Sequence, residues 1–220
     1  MGIGDVEKST LNENVLSELR HAVMNPLTVL IGYAEVLAGR QDLPNEVTML
    51  LQELVARARE CGSAVERLFS LLSGGEAEAF RTSGLEKGTS QGGMRAKVLV
   101  VDDEVLIQRL ITKVLGQEHE VVTVSTGEEA LELLRKQSFD CIILDLNLRG
   151  VMGGEDLLKK IRREMPNLAR RTLVVGGDST QRLSEVSREY FLGGYLQKPF
   201  YPDALRHAVR SVLGKERGEA

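Results

Sequence analysis

Beyond residue 96 the chain alternates short, continuous apolar runs with longer amphipathic stretches. The runs at 97–101, 120–124, 141–144, 172–175 and 194–196 predict β-strands. Their nearly unbroken hydrophobicity is what a strand needs when both faces of its sheet are covered. Between and after them, a repeat of about 3.6 residues predicts helices at 104–116, 126–137, 153–164, 179–190 and 201–214. Five β-α units in succession, over residues 95–215, predict a doubly wound parallel sheet with helices on both faces. Such a sheet places its ligand site at the carboxyl ends of the strands.

The first third of the chain follows another rule. Val47, Leu51, Leu54, Ala58, Cys61, Val65, Leu68 and Leu72 alternate in steps of four and three, the seam of a helix that packs in a bundle. Leu16, Leu19, Val23, Leu27, Leu30, Ala34 and Leu37 trace a similar stripe upstream, and Gly39, Pro44 and Asn45 supply the break between the two. A helical hairpin over residues 10–73 is expected. Two long helices with one partner each leave much of both seams wet, so two hairpins are expected to pair as a homodimeric four-helix bundle through residues 10–73. Residues 74–94, rich in Gly, Ser, Thr and charge, have the composition of a flexible linker.

Composition narrows the function classes. At 42% hydrophobic and 27% charged the chain is an ordinary globular one. Its net charge of −4 without a basic cluster argues against nucleic-acid binding. No uninterrupted apolar stretch reaches the about 18 residues of a membrane span, and Asp5 and Glu7 occupy the place of a signal peptide's apolar core. A cytoplasmic protein with no membrane partner is expected. Cys61 and Cys141 each lie in an apolar run, which predicts two buried, reduced thiols and no metal site.

The candidate chemistry lies at the strand ends. Asp102 and Asp103 follow the first predicted strand, Asp145 the third, and Lys198 the fifth. Carboxylates gathered by parallel strands repel one another unless a hard cation such as Mg²⁺ lies between them. A nucleophilic carboxylate, a metal cradle and a lysine are the parts needed to accept a phosphoryl group.

The segments Val-Leu-Val-Val-Asp-Asp-Glu at 98–104, Ile-Ile-Leu-Asp-Leu-Asn-Leu at 142–148 with Gly153 beyond, and Tyr-Leu-Gln-Lys-Pro-Phe at 195–200 resemble the receiver domain of bacterial response regulators. The resemblance implies a flavodoxin-like (βα)5 fold over 95–215. It implies Asp145 as phosphoacceptor, Asp102 and Asp103 as Mg²⁺-binding acids, Asn147 as donor of a carbonyl to the metal, and Lys198 as the phosphoryl-contacting lysine. Tyr195 corresponds to the aromatic switch. Gly176 stands where receivers usually carry Thr or Ser, so the hydroxyl that couples the phosphoryl group to Tyr195 is missing and a weakened switch is expected.

His21 falls between Leu19 and Val23, so the stripe directs it away from the hairpin core toward solvent, and Pro26 interrupts the helix's hydrogen bonding one turn later. Residues 19–37, beginning Leu-Arg-His-Ala-Val-Met-Asn-Pro, resemble the phosphoacceptor helix of the histidine-kinase dimerisation and phosphotransfer domain. That resemblance implies His21 as the phosphorylated histidine and Asn25 as a residue linked to hydrolysis of a partner's acyl phosphate. Two features depart from it. Ala22 replaces the usual acidic base, and only the short linker separates the hairpin from the receiver-like half, with no Asp-x-Gly-x-Gly nucleotide motif in the sequence. Autonomous ATP-dependent kinase activity is therefore not expected.

Three readings follow. In the first, a separate histidine kinase or another phosphorelay protein phosphorylates Asp145, and His21 passes phosphoryl groups on or back. A linker of this length spans roughly 25 Å, enough for the receiver to reach a histidine of its own dimer. In the second, the hairpin is a non-catalytic docking module that sequesters a kinase. The third, a small Mg²⁺-dependent phosphatase, fits the Lys-Pro-Phe context least.

Overall fold

The computed structural model describes residues 3–72 and 95–214, with side chains from Val15 onward; the expected linker lies outside these residues. Helices α1 (Ile3–Ala38) and α2 (Asn45–Leu72) form an antiparallel hairpin, α1 starting well before the boundary expected at residue 10. Ile31, Ala34, Val55 and Ala58 are its buried core, and Arg20–Glu66 and Arg59–Glu35 ion pairs tie its two ends. Helix α1 runs unbroken through Pro26, and Thr28 Oγ1 donates to the Met24 carbonyl at 2.8 Å.

The second unit is a five-stranded sheet of β1 (Lys97–Val101), β2 (Glu120–Val124), β3 (Cys141–Asp145), β4 (Thr172–Gly176) and β5 (Gly194–Gln197), all parallel, in the order β2-β1-β3-β4-β5. Side chains alternate across it. Leu99, Val101, Ile142, Leu144 and Val174 pack under α4 (Gly127–Lys136), α5 (Gly154–Glu164) and α7 (Thr180–Glu189). Val98, Val100, Ile143, Leu173 and Val175 pack under α3 (Val105–Leu115) and α8 (Pro202–Gly214). The expected strands and helices hold to within a residue or so at their ends. Among the described residues of this unit, the sequence pattern missed only the single turn α6 (Pro166–Ala169), which is too short to carry a periodicity.

The hairpin is packed onto this unit. Helix α1 crosses α3 so closely that a Cβ on Gly32 would lie 2.4 Å from Leu110 Cδ2, and Val29, Tyr33 and Val36 join the core beneath α3 and α8. From α2, Gly62 faces the Pro199 ring and the Arg59 guanidinium lies 4.3 Å over the Tyr201 ring.

This packing corrects two expectations, the solvent-facing His21 and the buried Cys61. His21 does not face solvent: it is 2% exposed, because the side of α1 away from the hairpin core is covered by the sheet unit. The stripe residues Leu19, Val23, Leu30 and Leu37 on α1, and Val47, Leu54, Leu68 and Leu72 on α2, are exposed in the single chain, as seams expected to stay wet in one copy would be. Cys61 is exposed with them, whereas Cys141 is buried and its thiol is pushed up to about 12 by burial. By length and composition alone, Val15–Ala38, with mean hydropathy 1.2, is long and apolar enough to cross a membrane. Its few polar residues interrupt every run but leave the helix average high.

Candidate functional site

The order β2-β1-β3 reverses between β1 and β3, the topological switch point of this sheet. Asp102 follows β1 and Asp145 ends β3, so pairing of Val101 with Leu144 brings the two carboxylates together. Both are held from behind. Gln108 Nε2 donates to the Asp102 carbonyl at 2.6 Å and to Val124 O and Ser125 Oγ, which fixes the turn. The backbone N–H of Glu104 donates to Asp102 Oδ1 at 2.8 Å, and that of Asn147 to Asp145 Oδ1 at 3.0 Å. These are the local side-chain-to-backbone turns that short acids favour.

Lys198 extends from the end of β5, where its N–H bonds the Gly176 carbonyl at 2.7 Å. Its ammonium, wholly buried, lies 2.8 Å from Asp145 Oδ2 and 3.1 Å from Asp102 Oδ2. Burial pushes the Asp102 carboxyl up to about 7, against the pull of Lys198 and with a further push from Asp145. Burial opposes the charge on Lys198, yet Asp145 and Asp102 outweigh it and raise its pKa. Both directions follow from one cation shared between two buried carboxylates, which leaves negative charge in surplus. A cation would relieve that surplus. Asp103 Oδ1 is buried with no hydrogen-bond partner, and each Asp145 oxygen still has a spare lone pair, so the donor set fits a divalent ion.

Helix α1 closes the site. A ring nitrogen of His21 and carboxylate oxygens of Asp103 and Asp145 lie within 4.8 Å of one another. Asn25 Nδ2 stands 2.8 Å from His21 Nε2 and donates to Glu104 Oε1 at 2.6 Å, while Glu104 Oε1 is 3.7 Å from the same nitrogen. Arg20 Nη2 bonds Glu66 Oε2 at 2.8 Å, and its charge also acts on Asp178 in the loop after β4. Under this cover Asp145 is 1% exposed.

Residues 98–210 match the response regulator receiver domain. The chain belongs to that family. It is 36% identical over 121 residues to the hydrogenase transcriptional regulatory protein HoxA of Cupriavidus necator, covering 54% of this chain and 24% of that protein. It is 37% identical over 129 residues to the response regulator protein FleR of Pseudomonas aeruginosa, covering 56% and 27%. Only about a quarter of each regulator is thus shared. Among solved structures, the chemotaxis protein CheY4 of Vibrio cholerae is 31% identical with a TM-score of 0.50, covering 55% of this chain and all of that one. NtrX from Brucella abortus is 28% identical with a TM-score of 0.52, covering 56% and 28%.

Within the receiver the structure brings Asp102, Asp103, Asp145, Asn147 and Lys198 together, and adds His21 and Asn25 from the hairpin. Tyr195 lies apart on the edge strand β5, 37% exposed. The sequence reading gave no role to Glu104 or Arg20. Glu104 stood in the quoted Asp-Asp-Glu motif and Arg20 beside His21, so proximity in sequence was the available signal.

Gly176 ends β4 with no left-handed backbone, and a Cβ there would lie 3.1 Å from Leu183 Cδ2 and 3.4 Å from Asp178 Oδ2. Gly176→Thr is therefore expected to fold at a cost of about 1 kcal/mol as Leu183 gives way. With beryllofluoride and Mg²⁺, the variant's Tyr195 ring resonances should shift more than those of the unmodified protein. Equal shifts would show that the hydroxyl is not the missing coupling element.

Proposed function

We propose that the protein is a cytoplasmic two-component phosphorelay component in which Asp145 accepts a phosphoryl group from a separate histidine kinase and exchanges it with His21 of the same chain. The observation that carries this reading is the span of at most 4.8 Å between a His21 nitrogen and an Asp145 oxygen. A covalent P–N bond plus a near-attack gap of about 3–3.5 Å makes nearly that distance.

In the transfer an Asp145 oxygen attacks phosphorus, the P–O bond forms as the P–N bond breaks, and the nitrogen lone pair returns to the imidazole. Lys198 neutralises the charge gathering on the phosphoryl oxygens. Asn25, anchored on Glu104, holds the ring in register. Asp103, Asp145 and the Asn147 carbonyl, with Asp102 behind, are the residues that would hold Mg²⁺, which when bound screens the phosphoryl charge.

To test this, the full chain is labelled at Asp145 with radioactive acetyl phosphate in Mg²⁺ and the label is then chased. Acid-labile, base-stable phosphohistidine at residue 21 is expected. Label that stays on Asp145 until hydrolysis would defeat the exchange.

Two observations favour a second reading, a non-catalytic regulator that docks on or sequesters a histidine kinase: α1 covers Asp145, and Ala22 offers no base beside His21. Under it His21 never carries label.

The exposed leucines of both hairpin helices support pairing of two copies through residues 10–73. Leu54→Lys combined with Leu68→Lys should turn a dimer into a monomer in sedimentation velocity; a dimer that survives both charges would have another interface.

A further inference from the structure

We propose that Asp103, Asp145 and His21 together bind one divalent cation of the borderline class, Zn²⁺ or Mn²⁺, which fastens the hairpin to the receiver. The inference rests on the docked position of His21 over Asp145, not on phosphoryl exchange.

The three residues come from two units of the chain, yet one ligand atom from each falls within 4.8 Å of the others. Among the described residues, three buried polar atoms of this region have no hydrogen-bond partner: His21 Nδ1, Asp103 Oδ1 and Asn25 Oδ1. His21 and Asn25 are 2% and 0% exposed, so bulk water does not compensate them. Leaving such groups unpaired costs about 1–3 kcal/mol each, a cost that a water or an ion at the site removes. Asp145, already bonded through both oxygens, can still offer a lone pair.

The donor set decides the metal. A receiver's acids alone make an oxygen site that suits Mg²⁺; adding an imidazole nitrogen favours metals that accept mixed N and O ligands. On the far side of the ring, Asn25 and Glu104 meet Nε2. Nδ1 is the ring nitrogen without a hydrogen-bond partner and is the one assigned to the ion; Nε2 then carries the proton, and the Asn25 amide must turn its own unpartnered Oδ1 to accept it. Three protein ligands leave further coordination positions open. While the imidazole is ligated its lone pair is withheld from phosphorus, so Zn²⁺ or Mn²⁺ would lock the docked state that Mg²⁺ leaves free to react.

The test uses the full chain with Zn²⁺, Mn²⁺ and Mg²⁺ each added alone. His21→Gln should weaken Zn²⁺ and Mn²⁺ binding by at least the about 10–100-fold that loss of a mere supporting group costs, and Mg²⁺ binding by much less. Independently of any variant, the electron spin-echo spectrum of bound Mn²⁺ should carry a nitrogen coupling that changes on ¹⁵N-histidine labelling. A spectrum without that coupling, or equal Zn²⁺ affinities in the two proteins, would overturn the proposal and leave an oxygen-only site. Absence of phosphohistidine in the chase experiment would instead sink the relay reading and leave the nitrogen coupling in place.

Discussion

Asp145→Asn is expected to remove all phosphoryl label from the chain, on His21 as well as at position 145, whether acetyl phosphate or a phosphorylated kinase is the donor. The amide preserves the shape of the carboxyl and can still accept from the Asn147 N–H, but it has no anionic oxygen to attack phosphorus. Lys198 keeps Asp102 as its counter-charge, so no buried charge is stranded. The destabilisation should stay well below the about 3–5 kcal/mol of a severed buried ion pair. Thermal unfolding and intact mass together check both halves of the expectation. Undiminished label in this variant would move the acceptor elsewhere.

Gly32→Leu should free the receiver from the hairpin without touching the acceptor. A Cβ at this position meets Leu110 at 2.4, 2.7 and 3.1 Å, and Leu110 is fully buried, so its side chain has nowhere to swing. Overpacking of this kind costs about 1–3 kcal/mol, which is about 5–150-fold in the ratio of docked to undocked forms. Asp145 should then be labelled faster by acetyl phosphate, amide hydrogens of α3 should exchange faster, and label should no longer reach His21. Unchanged labelling and exchange would mean that α1 does not control access to the site.

Much of the receiver was legible in its sequence because its strands are buried on both faces. Residues 97–101 or 141–145 can only be read as continuous apolar segments, and the acids at their ends follow from strand direction. The hairpin was legible as two helices but not as a surface. His21, Asn25, Thr28 and Gly32 share the face that is buried against the receiver, and none of the four reads as hydrophobic. Leu19 and Leu30 read as seam and are exposed in the single chain, left for a second copy rather than for the receiver. Hydrophobic periodicity reports which residues want cover, not which partner supplies it, and here His21 and Asn25 meet polar groups at the strand ends while Gly32 meets Leu110 of the apolar core. Gly32 offered the one hint: a mid-helix glycine costs about 1 kcal/mol relative to alanine and often marks a close approach.

The cover that α1 places over Asp145 also fixes how the site responds to concentration. A helix on the same chain is a tethered competitor, present at the same local strength however dilute the protein. For any phosphodonor too large to enter beside it, apparent affinity is the intrinsic affinity scaled by the fraction of molecules in which α1 has lifted. Diluting the protein leaves that fraction unchanged, whereas dilution would release a receiver masked by a separate inhibitor. Changing the stability of the α1–α3 contact would therefore retune the response threshold without altering a single residue that touches the phosphoryl group.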